Sequence, residues 1–273
     1  PHAPHLAVAA VPWPGSVAVY SAPADAGYTL STLVEAPATV GLTLTPLPAT
    51  AAGTWDRGPA LRVKVGGGAL ASAEPEAMFA GANAVAIGDG TPGNWEVFQF
   101  ARAELVAPDP YDLSLRLRGQ LGTDAVMPDV WPVGSVVGLL DGAVMEIPLA
   151  QSARGLVRHF RIGPAHLSYD DESYVHLEAS FDGIGLRPYA PVHLRARPAG
   201  GDLDLSWVRR TRVDGDSWAS DDVPLGEEEE LYSVQVFSGE TLVREVRTNT
   251  PAWRYLAAHR AADAVAGPCT IGV

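Results

Sequence analysis

The stretch Pro108-Asp109-Pro110-Tyr111-Asp112-Leu113-Ser114-Leu115-Arg116-Leu117-Arg118 decides the fold class. Leu113, Leu115 and Leu117 alternate with Ser114, Arg116 and Arg118. That period of two belongs to a strand with one face on a core and the other in water. Pro-Asp-Pro ahead of it is a turn signal. Working outward, the same period recurs. Val40, Leu42 and Leu44 alternate with Gly41, Thr43 and Thr45; Leu61, Val63 and Val65 with Arg62 and Lys64; Val175, Leu177 and Ala179 with His176 and Glu178. Gly66-Gly67-Gly68, Gly88-Asp89-Gly90, Asp141-Gly142 and Asp182-Gly183 punctuate these runs. Short strands so punctuated predict an all-β sandwich or barrel. With 28 Gly and 23 Pro in 273 residues, long helices have little room, since an interior proline costs about 3 kcal/mol. A helical bundle and a doubly wound α/β fold are both disfavoured. Glu74–Ala80 is a candidate short helix, with Pro75 suited to its first turn. Trp253–Ala264 reads equally as a second helix or as a strand and a loop.

Hydrophobic residues make up 47% of the chain, enough for a core, while charged residues are 19%. The 19 basic and 32 acidic side chains leave a net charge of −13. Such a balance disfavours nucleic acid and anionic membrane surfaces, whose binding rests on Lys and Arg. Cys269 is the single cysteine, so an intrachain disulfide and a cysteine zinc site are excluded. The uncharged run Ala36–Trp55 contains Pro37, Pro46 and Pro48 and reads as strands and turns, not as a membrane span. Pro1-His2-Ala3-Pro4-His5 has neither an initiator Met nor a basic leader, and the expectation is a piece of a longer polypeptide.

Candidate chemistry is sparse. Gly88-x-Gly90-x-x-Gly93 has the letters of a dinucleotide-binding loop. The strand-like Trp95–Phe100 follows it where a helix N-terminus is needed, so a hairpin turn is expected. Asp214, Asp216, Asp221 and Asp222 lack EF-hand spacing. Residues 213–230 read as a solvated acidic loop offset by Arg209, Arg210 and Arg212, with a weak cation site left open. His2, His5, His159, His166, His176 and His193 show no zinc spacing and read as surface or hydrogen-bonded side chains. Gly134-Ser135-Val136-Val137-Gly138 has the wrong order for a nucleophile elbow. Asp170, Asp171 and Glu172 read as a turn, and Cys269 as a small buried hydrophobe. Trp13, Trp55, Trp95, Trp131 and Trp218 lie near turns and divide between core roles and a sugar-stacking face. No catalytic, cofactor-binding or metal-binding residue is expected, and no enzyme.

Two resemblances add to this reading. From Pro191 to Val273, Leu203-x-Leu205-x-Trp207 and Tyr232-x-Val234-x-Val236 resemble the second and third strands of a fibronectin type III domain. The resemblance implies Trp207 buried between two sheets. Cys269-x-Ile271-x-Val273 stands where that family has a tyrosine strand, and the final strand is missing. Arg118-Gly119-Gln120-Leu121-Gly122-Thr123, Arg154-Gly155-Leu156, Gly163-Pro164-Ala165, Gly183–Leu194 and Trp207–Trp218 resemble the large tail-tip, or host-specificity, protein of gene transfer agents and siphophage-like tails. That implies a tail hub-type β-barrel or sandwich over residues 1–188, with a further division near 50–55 left open. An incomplete fibronectin type III-like sandwich would follow over 189–273. It also implies a structural part of a baseplate hub that caps the tail tube and engages the host envelope. Its partners would be other tail proteins and two further copies of itself on the tail axis, without stable nucleic-acid binding or a membrane-spanning segment. The alternatives are a module recognising a surface polysaccharide and a fragment of a cell-wall glycan hydrolase.

Overall fold

A computed structural model describes residues 2–215 and 222–273. Asp216, Trp218 and Asp221, named above, lie outside the described residues. The protein is all-β, with 42% of residues in strands and 8% helical. It divides into two compact units, Pro1–Arg187 and Pro188–Val273.

The main strands of the first unit are, in chain order, β1 (Val17–Ala22), β2 (Thr29–Val34), β3 (Val40–Thr43), β4 (Leu61–Gly66), β5 (Ala84–Gly88), β6 (Trp95–Leu105), β7 (Pro110–Gln120), β8 (Val136–Leu139), β9 (Arg158–Pro164) and β10 (Val175–Ala179). Six of them close into an antiparallel barrel in the order β7-β4-β3-β8-β5-β6, with β6 returning to pair with β7. Closure leaves no strand edge among the six. Leu61, Val63, Val85, Ile87, Phe98, Phe100, Leu113 and Val137 fill its interior, joined by Leu47 and Trp131. Each such side chain contributes about 1.5–3 kcal/mol on full burial. Leu47 and Trp131 come from the paired segments Leu47–Pro48 and Val130–Trp131. Residues 50–55 run from the first of these to Trp55–Asp56, which pairs with β7 within the same unit.

The remaining strands form a second sheet in the order β10-β9-β1-β2. Its core holds Val17, Val19, Val34, Ile147, Phe160 and Ala179, with Leu6, Trp13 and Phe181 packed against them. The barrel is thus inserted between two halves of this sheet, β1–β2 before it and β9–β10 after it.

Three alternation readings need correction. In β7, Leu115 takes a left-handed backbone (φ 54°), and the inward phase switches there. Leu113 points into the barrel, whereas Leu117 joins Met78 and Ala101 in a separate cluster that also holds Leu115 and Trp55. Met78 belongs to α1 (Pro75–Phe79). Arg116 sits opposite Phe100, and both Arg116 and Arg118 are buried rather than solvated. In β3 the phase is reversed. Leu42 and Leu44 are 49% and 43% exposed, while Thr43 is 1% exposed. The Thr43 hydroxyl donates to the Pro132 carbonyl at 2.9 Å and accepts from the Ser135 N–H at 3.1 Å, which makes its burial affordable. In β10, Val175 and Leu177 are exposed on an edge strand; only Ala179 reaches the core.

The second unit contains β11 (Val192–Ala199), β12 (Asp202–Val208), β13 (Tyr232–Ser238), β14 (Thr241–Thr248), β15 (Ala252–Tyr255) and β16 (Thr270–Gly272). They form two three-stranded sheets, β11-β12-β15 and β14-β13-β16. Leu205 and Trp207 from one sheet meet Val234 from the other, with Leu203, Tyr232, Trp253 and Ile271 around them. Trp207 is buried and packs edge-on against the Tyr232 ring at 5.2 Å. The stretch Trp253–Ala264 combines both of its readings, the end of β15 and then α2 (Ala257–Ala262).

Candidate functional site

A group of convergent polar side chains lies on the solvent face of the β10-β9-β1-β2 sheet. Period two sends Phe160 and Ile162 of β9 to the core and turns His159 and Arg161 the other way. In the antiparallel register His159 faces Glu178, and Arg161 faces His176. Strand pairing therefore brings together residues that are 17 apart in the chain. His159 Nδ1 lies 3.1 Å from His176 Nε2, and the two rings are nearly parallel at 6°. Glu178 Oε1 is 3.7 Å from His159 Nδ1.

The connection between β1 and β2 brings Asp25 over this pair, with Oδ1 3.9 Å from His176 Nε2. Tyr28 donates its hydroxyl hydrogen to that same oxygen at 2.6 Å, and Arg161 donates to it at 3.0 Å. These hydrogen bonds, Tyr28 first and Arg161 second, hold the Asp25 carboxyl below its ordinary value. Burial, and then the bond to Asp25, push the Tyr28 hydroxyl up. The Arg161 guanidinium lies over the Tyr28 ring at 5.5 Å, and Tyr169 packs against both Tyr20 and Tyr28. Asp25, His159 and His176 offer ligand atoms that all lie within 4.8 Å of one another.

A second polar group is enclosed in the barrel. Arg118 donates to both oxygens of Glu96 at 2.6 and 2.8 Å. Trp131 Nε1 and the Gly119 N–H also donate to Glu96, at 2.7 and 3.1 Å, and Arg118 donates to the Pro48 carbonyl at 2.7 Å. Beside it Arg116 donates to Asp56 at 2.9 Å and to the Leu113 carbonyl at 2.7 Å. These groups are sealed from solvent and tie the short paired segments to the barrel wall. Arg118 follows Arg116 inward by period two, and a β-bulge comes directly after it: the β6–β7 register shifts between Leu117 and Gln120, and Gly119 there has φ +60°. A Cβ on Gly119 would lie 2.7 Å from the Asp124 side chain.

The other residues singled out in the sequence belong to neither group. Gly88-x-Gly90-x-x-Gly93 forms the hairpin between β5 and β6, with Gly88 opposite Trp95 and the Asp89 carboxylate accepting from Thr91 and Asn94. In the acidic loop, Arg209 pairs with Asp222 and Arg212 with Glu227, at 2.9 and 2.8 Å. Asp171 accepts from the Ser173 N–H and hydroxyl, as befits a turn. His2 contacts the Leu149 carbonyl at 2.6 Å, and Cys269 is half-buried. None of the described tryptophans is exposed; Trp131 and Trp207 are buried and the others half-buried.

The barrel also carries a match to a known family. Residues 38–138 match a family model. The family is described as Rcc01698-like, C-terminal. The match covers less than half of the chain, and it runs from two residues before β3 to the last but one residue of β8. It therefore coincides with the inserted barrel and includes both buried arginines. No curated protein shows a significant match. Among the described residues, no helix is long and apolar enough to cross a membrane.

Proposed function

We propose that this chain is a structural component of a phage-like tail tip, a baseplate-hub segment that caps the tail tube and helps engage the host envelope. The observation that carries the reading is a coincidence of position. The family-matched stretch is the closed barrel, and the tail-tip-like string Arg118–Thr123 supplies that barrel's buried tie through Arg118 and Gly119. The apolar side chains left outside support contacts with other proteins. Leu30 on β2 and Val175 and Leu177 on β10 are exposed on the two edge strands of the four-stranded sheet. In this reading the second unit is a fibronectin type III-like module, the copies are three on the tail axis, and the chain catalyses no reaction. Electron microscopy of intact particles tests it. Density for the chain on the tail axis with threefold symmetry is the expected result. A position on the capsid or on a lateral fibre overturns it.

A further inference from the structure

We propose that Asp25, His159 and His176 form a surface binding site for one divalent transition-metal ion of the zinc class, with Glu178 beside it. The inference rests on the sheet geometry and does not depend on the tail-tip reading. A tetrahedral zinc site has metal–nitrogen and metal–oxygen distances of about 2.0–2.2 Å, which sets its ligand atoms roughly 3.3–3.5 Å apart. The distances 3.1 Å between His159 Nδ1 and His176 Nε2 and 3.9 Å from His176 Nε2 to Asp25 Oδ1 bracket that spacing. Small rotations of the exposed Asp25 and His176 and the half-buried His159 side chains complete the approach.

The donor set selects the metal. Two imidazole nitrogens with carboxylate oxygens suit zinc, copper or nickel, whereas calcium and magnesium take oxygen ligands almost exclusively. The charge is also suitable. Around the two imidazoles the Asp25 and Glu178 carboxylates outnumber the Arg161 guanidinium, so a cation meets a net negative shell. Arg161 and Tyr28 hydrogen-bond to Asp25 and fix its carboxylate, as outer-shell partners do around metal ligands. In the metal-free protein, two nitrogens at 3.1 Å share one N–H between them. Metal entry requires both lone pairs, so that N–H moves to the far nitrogen of its own ring as the ion binds, and no net proton is released.

The test is zinc titration of the full chain after chelator treatment, read by calorimetry and by the imidazole resonances. One ion per chain is expected, with the His159 and His176 resonances shifting together while those of His166 and His193 stay in place. His159→Ala and His176→Ala should each weaken binding by at least about tenfold, and Asp25→Asn by less. His193→Ala and Cys269→Ser should leave it unchanged. Cobalt in place of zinc should give the visible absorption of a tetrahedral site. The absence of saturable binding, or zinc that shifts other histidines first, overturns the proposal. So does uptake that persists in a folded His159→Ala/His176→Ala variant. The resonance experiment uses the unaltered chain, so it decides the matter even where a variant folds poorly.

Discussion

At the residue scale, Glu96 is the group on which most depends. It accepts from Arg118, Trp131 and Gly119 while fully buried. Removing one partner of a buried ion pair leaves the other charge uncompensated, which typically costs about 3–5 kcal/mol. Glu96→Ala is therefore expected to destabilise the first unit by that order. Glu96→Gln should recover part of it, because the amide still accepts a hydrogen bond; unfolding in urea measures both. Thr43 supplies a second expectation. Thr43→Val removes a donor and an acceptor from a buried site and should cost about 1–3 kcal/mol. Leu42→Thr, at a half-exposed position, should stay within about 0.5 kcal/mol. An alternation reading of β3 gives the opposite ranking. These are the residues at which the sequence was least legible. Period two shows that a strand alternates, but not which phase faces inward when the apolar and polar sets are both small. Nothing in the letters Leu115 or Gly119 announces the left-handed backbone that turns Arg116 and Arg118 inside, or the bulge that follows them.

At the element scale, more could be read. The runs at Leu61–Val65 and Val175–Ala179 coincide with strands, and Glu74–Ala80 contains the helix Pro75–Phe79. Leu203, Leu205 and Trp207 share the inward face of β12, because that strand has a clear apolar face and an acidic or hydroxylated one. The edge strands β10 and β11 alternate without burying the apolar face, since burial depends on what lies across the sheet. The contacts of β13, β14, β15 and α2 also set how the second unit responds to pH. Burial, then hydrogen bonds to Glu230 and Asp263 respectively, push Tyr232 and Tyr255 up to about 12 from an ordinary 10.0. A folded value above the unfolded one gives stability that is fully present below pH 10.0 and lost as pH rises toward about 12. Arg244, and with it Tyr255, holds Asp263 below its ordinary 3.8. That contribution is present above pH 3.8 and is lost as pH falls through the lower folded value. Melting curves of the chain should show the second unit losing stability at both ends of the scale. Tyr232→Phe and Tyr255→Phe should flatten the alkaline limb, and Asp263→Asn the acid limb. An alkaline limb that is unchanged in the double phenylalanine variant would contradict the assignment.

At the scale of the whole molecule, the least legible feature is long-range pairing. β1 and β9 are neighbours although the entire barrel lies between them in sequence, and the His159–His176–Asp25 group exists only because of that pairing. A reading along the chain finds three polar residues on separate runs and no spacing that joins them. Net charge, in contrast, is legible directly and constrains partners without any structure. The chain carries −13, and much of its basic complement is already engaged. Arg116 and Arg118 are buried against carboxylates. Arg62, Lys64, Arg161, Arg209, Arg212, Arg244 and Arg254 each pair with an acid. Affinity for duplex DNA comes from cations that neutralise phosphates and release counterions. Here the surface field repels phosphates, and the repulsion reaches furthest at low ionic strength, where the screening length is about 30 Å at 0.01 M. Fluorescence anisotropy with labelled duplex DNA is therefore expected to show no binding even in dilute buffer, the condition that favours most DNA-binding proteins. Retention that weakens steeply as salt is added would reveal a cationic track that the net charge conceals. It would also count against a role in which the chain lines or caps a DNA exit path without holding the nucleic acid.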